Sequence, residues 1–217
     1  MFCESTKLAP LTYFYPIVIG KLFIISAPSG TGKTSLSRAL IANSSDIIMS
    51  VSHTTRQRRA DEVHGEDYFY TDQAEFLKMV DQGIFLEYAE VYGNYYGTSK
   101  LAVQDFLEKG KNVLLDIDWQ GARTVRSAIP EAVSISVLPP SISELERRLR
   151  SRGSDTEDVI QNRMRQAVDE MKHCREADFI VINDHFNDAL DDLSLILAGQ
   201  SDRLRPLTVD IDQLLAS

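Results

Sequence analysis

Short apolar runs alternate with amphipathic helical patterns along most of the chain. The apolar runs have strand length, are rich in Val and Ile, and are bounded by turn or helix signals. They lie at 22–26, 112–117, 133–138 and 179–183, and the helical patterns lie at 33–43, 99–108, 119–128, 141–152 and 156–175. Continuous apolar runs are typical of strands in a sheet that is covered on both faces. Strands that alternate with helices predict an α/β fold with a parallel sheet at its core.

Residues 50 to about 98 interrupt this alternation. The segment is aromatic, contains glycine and is dense in charge. Its pattern predicts short antiparallel strands and loops, inserted between the first helix and the next core strand. We interpret it as a small inserted subdomain of mixed α and β structure.

Residues 141–175 form a second unusual segment, because they contain seven arginines together with many acidic residues. Ser141 and Glu144 have the spacing of a capping box, which predicts that a helix begins there. A helical pair with so much charge is usually a solvated face, but it is also suited to a mobile lid. The pattern alone leaves both interpretations open.

The composition is that of a globular protein with an acidic surface. A length of 217 residues fits one domain, or one domain with insertions, and 43% hydrophobic residues suffice for a sizeable core. The formal net charge of −9 argues against bulk binding of nucleic acid, which requires a basic surface. A phosphate site in this protein therefore needs a local concentration of positive charge.

The N-terminal region and the cysteines bear on the compartment. Cys3 and Cys174 are too few and too far apart for a disulfide framework or a zinc site, which favours a reducing cytoplasm. The apolar run at 11–27 contains a lysine, a proline and a glycine, and no basic segment precedes it. We therefore predict neither a signal peptide nor a membrane span. The role of residues 1–20 is left unassigned.

The sequence FIISAPSGTGKT places a glycine-rich turn between an apolar strand and a helix, which is the context of a phosphate-binding loop. Glycines allow backbone N–H groups to surround a phosphate, and the helix start adds the positive end of its dipole. Lys33 is expected to reach the β- and γ-phosphates of a nucleoside triphosphate, and the Thr34 hydroxyl to ligate Mg²⁺. The usual pattern begins with glycine where this chain has alanine, a small departure. The residues assigned to this loop are Ala27, Pro28, Ser29, Gly30, Thr31, Gly32, Lys33 and Thr34.

Three arginines of the inserted segment, Arg56, Arg58 and Arg59, lie near Tyr68 in the sequence. Grouped guanidinium groups in an acidic protein suit a dianionic phosphate, which they bind through paired hydrogen bonds. Ion pairing with the neighbouring acidic residues Asp61, Glu62 and Glu66 explains the same pattern equally well. The spacing does not choose between these alternatives.

Several ordered segments closely resemble guanylate kinase, the family that phosphorylates GMP with ATP. They are the phosphate loop, SVSHTTRQRRADEVHGEDYFY, FLEYAEVYGNYYGTS, LLDIDWQGA, the arginine-rich helices and IVIND. The resemblance extends from about Lys21 to about Ala198. It implies a core of about 21–50, 99–140 and 176–199, a GMP-binding subdomain of about 51–98 and a lid of about 141–175. Residues 1–20 and 200–217 lie outside this domain, and we predict that the latter are partly helical.

The resemblance also assigns roles to individual residues. It places Ser52 and Thr98 near the guanine O6, Glu87 at the guanine N1–H and 2-amino group, and Asp116 close by. It places Arg56, Arg59, Tyr68 and Tyr96 at the GMP phosphate, the lid arginines Arg148, Arg152 and Arg163 over the transferring phosphates, and Asn183 at the adenine of ATP. Thr98 stands where many members have serine, and the hydroxyl group is kept.

The chemistry of these residue types agrees with the resemblance. A carboxylate accepts hydrogen bonds from the guanine edge, whereas adenine would present the lone pair of its N1 to that carboxylate. Glu87 by itself is equally well explained as a surface acid. Asp116 and Asp118 follow an apolar strand, where acids need partners. We predict that Asp116 faces substrate or a metal-bound water and that Asp118 is structural.

The expected activity is the transfer of the γ-phosphoryl group from ATP to GMP, and to dGMP, with Mg²⁺. Such transfer needs alignment and charge compensation, and no covalent nucleophile. The rival hypotheses are a P-loop kinase of another phosphorylated metabolite and a non-catalytic, phosphopeptide-binding module of similar fold. The sequence predicts neither nucleic-acid nor membrane partners and leaves the oligomeric state open.

Overall fold

The computed structural model describes residues 19–91, 93–151 and 156–216. In chain order the elements are β1 (Leu22–Ser26), α1 (Lys33–Ala42), β2 (Ile47–Met49), β3 (His53–Thr54), β4 (Phe69–Tyr70), α2 (Gln73–Asp81), β5 (Phe85–Val91), β6 (Asn94–Ser99), α3 (Lys100–Glu108), β7 (Asn112–Asp116), α4 (Trp119–Ala128), β8 (Val133–Leu138), α5 (Ile142–Ser151), α6 (Glu157–Met171), β9 (Phe179–Ile182), α7 (Phe186–Leu197) and α8 (Ile211–Ala216). Short 3₁₀ helices occupy Lys172–Glu176 and Ser201–Arg203.

A five-stranded sheet forms the core, in the order β2-β7-β1-β8-β9, and every neighbouring pair is parallel. Its central strand β1 is buried from Leu22 to Ile25. Two hydrophobic clusters cover the two faces, one including α1 and α7 and the other including α3 and α4. The prediction of a parallel sheet covered on both faces is therefore confirmed. The short edge strand β2 was not predicted.

A second sheet lies within the inserted segment, in the order β4-β3-β6-β5. The β3–β6 and β5–β6 pairs are antiparallel, whereas β3 and β4 pair in parallel, so the sheet is mixed. Helix α2 packs with it through Phe76, whose ring stacks on those of Phe85 and Tyr95. Asp72 caps this helix by accepting a hydrogen bond from the Glu75 N–H at 2.8 Å. The α+β character of the insertion is confirmed, and its parallel strand pair is a difference from the predicted antiparallel arrangement.

Helices α5 and α6 form the arginine-rich segment. Ser141 caps α5 as predicted, because its hydroxyl accepts a hydrogen bond from the Glu144 N–H at 3.1 Å. The apolar side of α5 packs directly on the phosphate loop, since a Cβ at Gly30 would lie 2.9 Å from the Leu149 side chain and 3.0 Å from that of Leu145. Arg152, which the sequence assigned to the site, lies outside the described residues, as do residues 1–18.

The C-terminal residues pack across the base of these helices. Ile211 and Leu214 of α8 belong to a hydrophobic cluster that also contains Leu138 and Met171. Arg205, in the segment before α8, forms ion pairs with three carboxylates on or just before α7, those of Asp184, Asp188 and Asp192. None of the helices in the described residues is both long and apolar enough to cross a membrane.

Candidate active site

The phosphate loop connects β1 to α1 at the carboxyl edge of the core sheet. Gly30 and Gly32 adopt φ values of +97° and +93°, a conformation in which side chains are strained. The buried Thr31 closes the turn, because its hydroxyl donates to the Pro28 carbonyl at 2.8 Å. These glycines are therefore required by the backbone, as the sequence motif predicts.

Lys33 begins α1 and extends across the end of the neighbouring strand β7. Its Nζ lies 2.5 Å from Oδ1 of Asp116 and donates to the Ile117 carbonyl at 2.9 Å. Because β1 and β7 are adjacent and Ile25 pairs with Asp116, this carboxylate lies beside the phosphate loop. The ion pair fixes the ammonium group at the carboxyl edge of the core sheet. The assignment of Asp116 to substrate or to a metal-bound water stays a prediction.

Asn183 is buried behind the phosphate loop, at the end of β9. Its Nδ2 donates to the Thr31 carbonyl at 2.6 Å. A Cβ at Gly32 would lie 2.7 Å from the same nitrogen, so the loop and the amide are in close contact. Asn183 thus fixes the loop, a role that sequence reasoning missed. Its predicted contact with adenine stays a prediction.

Arg148 of α5 joins this network from the other side. Its Nη2 donates to the Asn183 carbonyl at 2.8 Å, and its Nη1 donates to the Thr31 carbonyl at 3.4 Å. Glu144 accepts a hydrogen bond from its Nε at 2.7 Å. Hydrogen bonds from Arg147 and Arg148 lower the pKa of Glu144 to about 2. The structure therefore brings one of the predicted lid arginines to the phosphate loop, and Arg163 lies half-buried on α6.

Glu62 organises the arginine group in the second sheet. It accepts hydrogen bonds from Arg56 Nη2 at 2.7 Å, from the Arg59 N–H at 2.9 Å and from the Tyr70 hydroxyl at 2.7 Å. Burial alone would raise its pKa, but these hydrogen bonds outweigh burial and lower it to about 2. The sequence offered Glu62 only as an ion-pairing alternative. The structure shows that it holds Arg56 in place while the Arg59 side chain stays 64% exposed.

Tyrosine rings surround the Arg56 guanidinium group. Its Cζ lies 5.3 Å from the Tyr68 ring centroid, and the rings of Tyr68 and Tyr96 meet edge to face at 5.9 Å. Burial, followed by the nearby charge of Asp116, raises the pKa of Tyr68. Tyr68 therefore keeps its hydroxyl proton, and it lies near the carboxylate that pairs with Lys33. Of the predicted phosphate-acceptor residues, Arg56, Tyr68 and Tyr96 thus lie together, whereas Arg59 lies at Glu62.

Glu87 and Thr98 are a buried polar pair of the second sheet. They pair across β5 and β6, and the Thr98 hydroxyl donates to Glu87 Oε1 at 2.5 Å. Glu87 is only 3% exposed, and burial raises the pKa of its carboxyl group to about 7, with the nearby Asp118 carboxylate acting in the same direction. The surface-acid interpretation of Glu87 is therefore wrong. Ser52 is half-buried immediately before β3, and its carbonyl accepts from the Phe69 N–H at 2.9 Å.

Asp118 has the structural position that the sequence predicts. Its Oδ1 accepts a hydrogen bond from the Gly121 N–H at 2.9 Å, which caps the first turn of α4. Asp116 and Asp118 are therefore used differently, one facing Lys33 and the other fixing a helix start.

A parallel α/β core with a phosphate loop, together with an arginine–tyrosine cluster and a buried carboxylate, points to a P-loop kinase of a small phosphorylated acceptor. Comparison with known proteins agrees. Residues 19–200 match the family model described as Guanylate kinase. The chain is 52% identical over 190 residues to the guanylate kinase of Yersinia pestis bv. Antiqua (strain Antiqua), covering 87% of this chain and 92% of that protein. It is 54% identical over 188 residues to the guanylate kinase of Escherichia coli (strain K12), covering 86% and 90%.

Solved structures lead to the same family. The crystal structure of guanylate kinase from Anaplasma phagocytophilum aligns with a TM-score of 0.71 at 34% identity, covering 85% of this chain and 87% of that one. The chain belongs to the guanylate kinase family, and it is accordingly a nucleoside monophosphate kinase.

Proposed function

We propose that this chain transfers the γ-phosphoryl group of ATP to GMP, and also to dGMP, giving ADP and the nucleoside diphosphate. The observation that favours guanine most directly is the buried pair of Glu87 and Thr98. A carboxylate without a cationic partner is costly to bury unless hydrogen-bond donors reach it. The N1–H and 2-amino groups of guanine are two such donors, and the hydroxyl of Thr98 or Ser52 suits O6.

On the ATP side, the loop from Ala27 to Thr34 would surround the β-phosphate with backbone N–H groups. Lys33 would exchange its ion pair with Asp116 for the β- and γ-phosphates. This exchange costs little Coulomb energy, because one anionic partner replaces another. Asn183 and Arg148 would keep the loop in place during this exchange, because both donate hydrogen bonds to the Thr31 carbonyl.

Mg²⁺ fits the residues at this end of the sheet. The Thr34 side chain is exposed in the first turn of α1, and Asp116 ends the strand β7 beside β1, so both hard oxygen donors lie at the carboxyl edge of the core sheet. Thr34 would hold the ion together with phosphate oxygens and water, and Asp116 would contact it through water. Bound there, the ion would offset negative charge on the phosphates of ATP.

On the acceptor side, Arg56, Arg59, Tyr68 and Tyr96 would hold the GMP phosphate. Arg56 is fixed in advance by Glu62 and by the tyrosine rings, so little side-chain entropy is lost when the phosphate binds. Arg59 is exposed and would reorient toward the phosphate.

The transfer itself would depend on alignment and on positive charge around the moving phosphoryl group. Lys33 and Arg148, which already lie at the phosphate loop, would supply part of that charge, and Arg152 and Arg163 would add theirs once the lid closes. We therefore favour a lid at about 141–175, a GMP-binding subdomain at about 51–98 and a core formed by the remainder of residues 21–199. Closure would also exclude water and suppress hydrolysis of ATP. ATP and GMP as substrates, together with the two cysteines, support a cytoplasmic reaction.

A coupled assay of ADP formation with GMP, dGMP, AMP and UMP tests this proposal. We expect rapid turnover with GMP and dGMP and little with AMP or UMP. Equal turnover with all four acceptors, or none with GMP, would reject it. A module that only binds phosphopeptides has no use for Lys33 and the arginines around the phosphate loop, so absence of turnover combined with phosphopeptide binding would favour that alternative.

A further inference from the structure

Gly121 occupies a position where the backbone gives no reason for glycine. It is the third residue of α4 and does not belong to the glycines with positive φ. Alanine favours a helix more than glycine does. Glycine at this position therefore costs helix stability, and a need for the empty space beside it would explain why it is present.

The space is occupied by the carboxylate of Glu87. A Cβ placed on Gly121 would lie 2.6 Å from Glu87 Oε2 and 3.2 Å from its Cδ, with Asp118 Oδ1 next at 3.3 Å. The first distance is well below ordinary van der Waals contact. A methyl group at position 121 and the present position of the Glu87 carboxylate therefore exclude each other.

Neither α4 nor the Glu87 side chain can move away from this contact without losing a hydrogen bond. The first turn of α4 is fixed because Asp118 caps it at the Gly121 N–H. On the other side, the Glu87 carboxylate is held by the Thr98 hydroxyl, and its strand is paired with β6. The flexible end of Glu87 is the part that would move, and this movement would break its alignment with Thr98.

We propose that Gly121 determines base specificity by position: its missing side chain lets the Glu87 carboxylate lie against α4, aligned with Thr98 toward the guanine edge. Gly121 touches no substrate atom in this scheme and is a positioning residue. The inference rests on the proposed function, because it concerns how that function selects guanine. It also identifies a contact between the core sheet's helix α4 and the strand β5 of the second sheet.

Gly121→Ala should lower kcat/KM for GMP by about 10-fold or more, mainly through KM, because at least one charge-assisted hydrogen bond to the base is lost. Turnover of AMP, which gains nothing from Glu87, should stay unchanged, so the ratio of GMP to AMP falls. Ser127→Ala is the matched control, since Ser127 is exposed on the same helix and its hydroxyl donates to the Arg123 carbonyl of α4, and its ratio should equal that of the wild type. An unchanged ratio in Gly121→Ala would overturn the proposal.

A size-complementation cycle tests the mechanism. Glu87→Asp shortens the side chain by one methylene and should leave room for a methyl group at position 121. The double variant Gly121→Ala/Glu87→Asp should therefore lose less GMP specificity than the sum of the two single effects. Additive losses would contradict a direct clash. If Gly121→Ala alone does not fold, the double variant should restore the fold, and its failure to do so would also reject the proposal.

The same cycle can be measured by urea unfolding without nucleotide. Coupling between positions 121 and 87 in stability would support the contact even if the wild type phosphorylated no GMP, in which case only the proposed function would fail. The specificity claim itself requires that the wild type prefer GMP.

Discussion

Replacing Glu87 by glutamine should abolish a loss of folding stability that the nucleotide-free protein suffers as the pH rises. Burial raises the pKa of this carboxyl group from 4.5 to about 7. Below pH 4.5 the folded and unfolded chains both hold the proton. Between pH 4.5 and 7 the unfolded chain releases it while the folded chain does not, so the wild type loses stability as the pH rises. Glutamine keeps the side-chain shape and does not titrate.

The magnitude follows from the difference between the two pKa values. The two pKa values differ by about 2.5, and each pH unit between them changes the free energy of unfolding by about 1.4 kcal/mol. The wild type therefore loses about 3 kcal/mol of its free energy of unfolding as the pH rises through this range. Of this, about 2 kcal/mol falls between pH 5.5 and pH 8.5, because part of the loss has already occurred at the lower pH. In urea unfolding, this is a change in the midpoint of roughly 1 M for a slope near 2 kcal/mol/M.

The assay is urea unfolding of the wild type and of Glu87→Gln without nucleotide, at several pH values from 5.5 to 8.5. Comparing the two proteins cancels the titration of all other groups, and any fixed cost of burying the amide is the same at every pH. The stability difference should shift by about 2 kcal/mol in favour of Glu87→Gln as the pH rises. Parallel curves would refute the reasoning, since Glu87 would then have similar pKa values in both states. GMP turnover should fall in the same variant, which would show that the buried charge is kept for function.

Three further predictions concern the phosphate loop and its supports. Lys33→Met should lower kcat by several orders of magnitude, because a neutral side chain cannot offset the charge of the moving phosphoryl group; steady-state rates near those of the wild type, with an unchanged thermal melt, would contradict the assignment of Lys33. Arg148→Ala should lower kcat more than it raises the KM for GMP, and a change in KM alone would return α5 to the role of a solvated face. Asn183→Ala should weaken ATP binding about 10-fold or more, because the Thr31 carbonyl loses a hydrogen bond at 2.6 Å; calorimetric titration with a non-hydrolysable ATP analogue measures this, and an unchanged affinity would show that the loop is held without Asn183.

The periodicity of the sequence was sufficient for most of the core. The runs that became β1, β7, β8 and β9 are mainly apolar, because each strand is covered on both faces, and this property is local to the strand. The phosphate loop was also predictable, since its two left-handed glycines and its lysine lie within four residues of one another. The edge strand β2 was missed because three residues at a sheet edge leave too short a pattern. The parallel pairing of β3 and β4 was missed because each strand has only two residues.

The tertiary structure decided which of the predicted side chains meet. Lys33 pairs with Asp116 only because β7 lies beside β1, an order that no local pattern specifies. Asn183 supports the phosphate loop across 152 residues of sequence. The sequence named Glu87 through a family resemblance, whereas its burial depends on how β5 packs against α4. The helical pattern predicted α4, yet the need for glycine at position 121 arises from a side chain that a separate sheet brings to that helix.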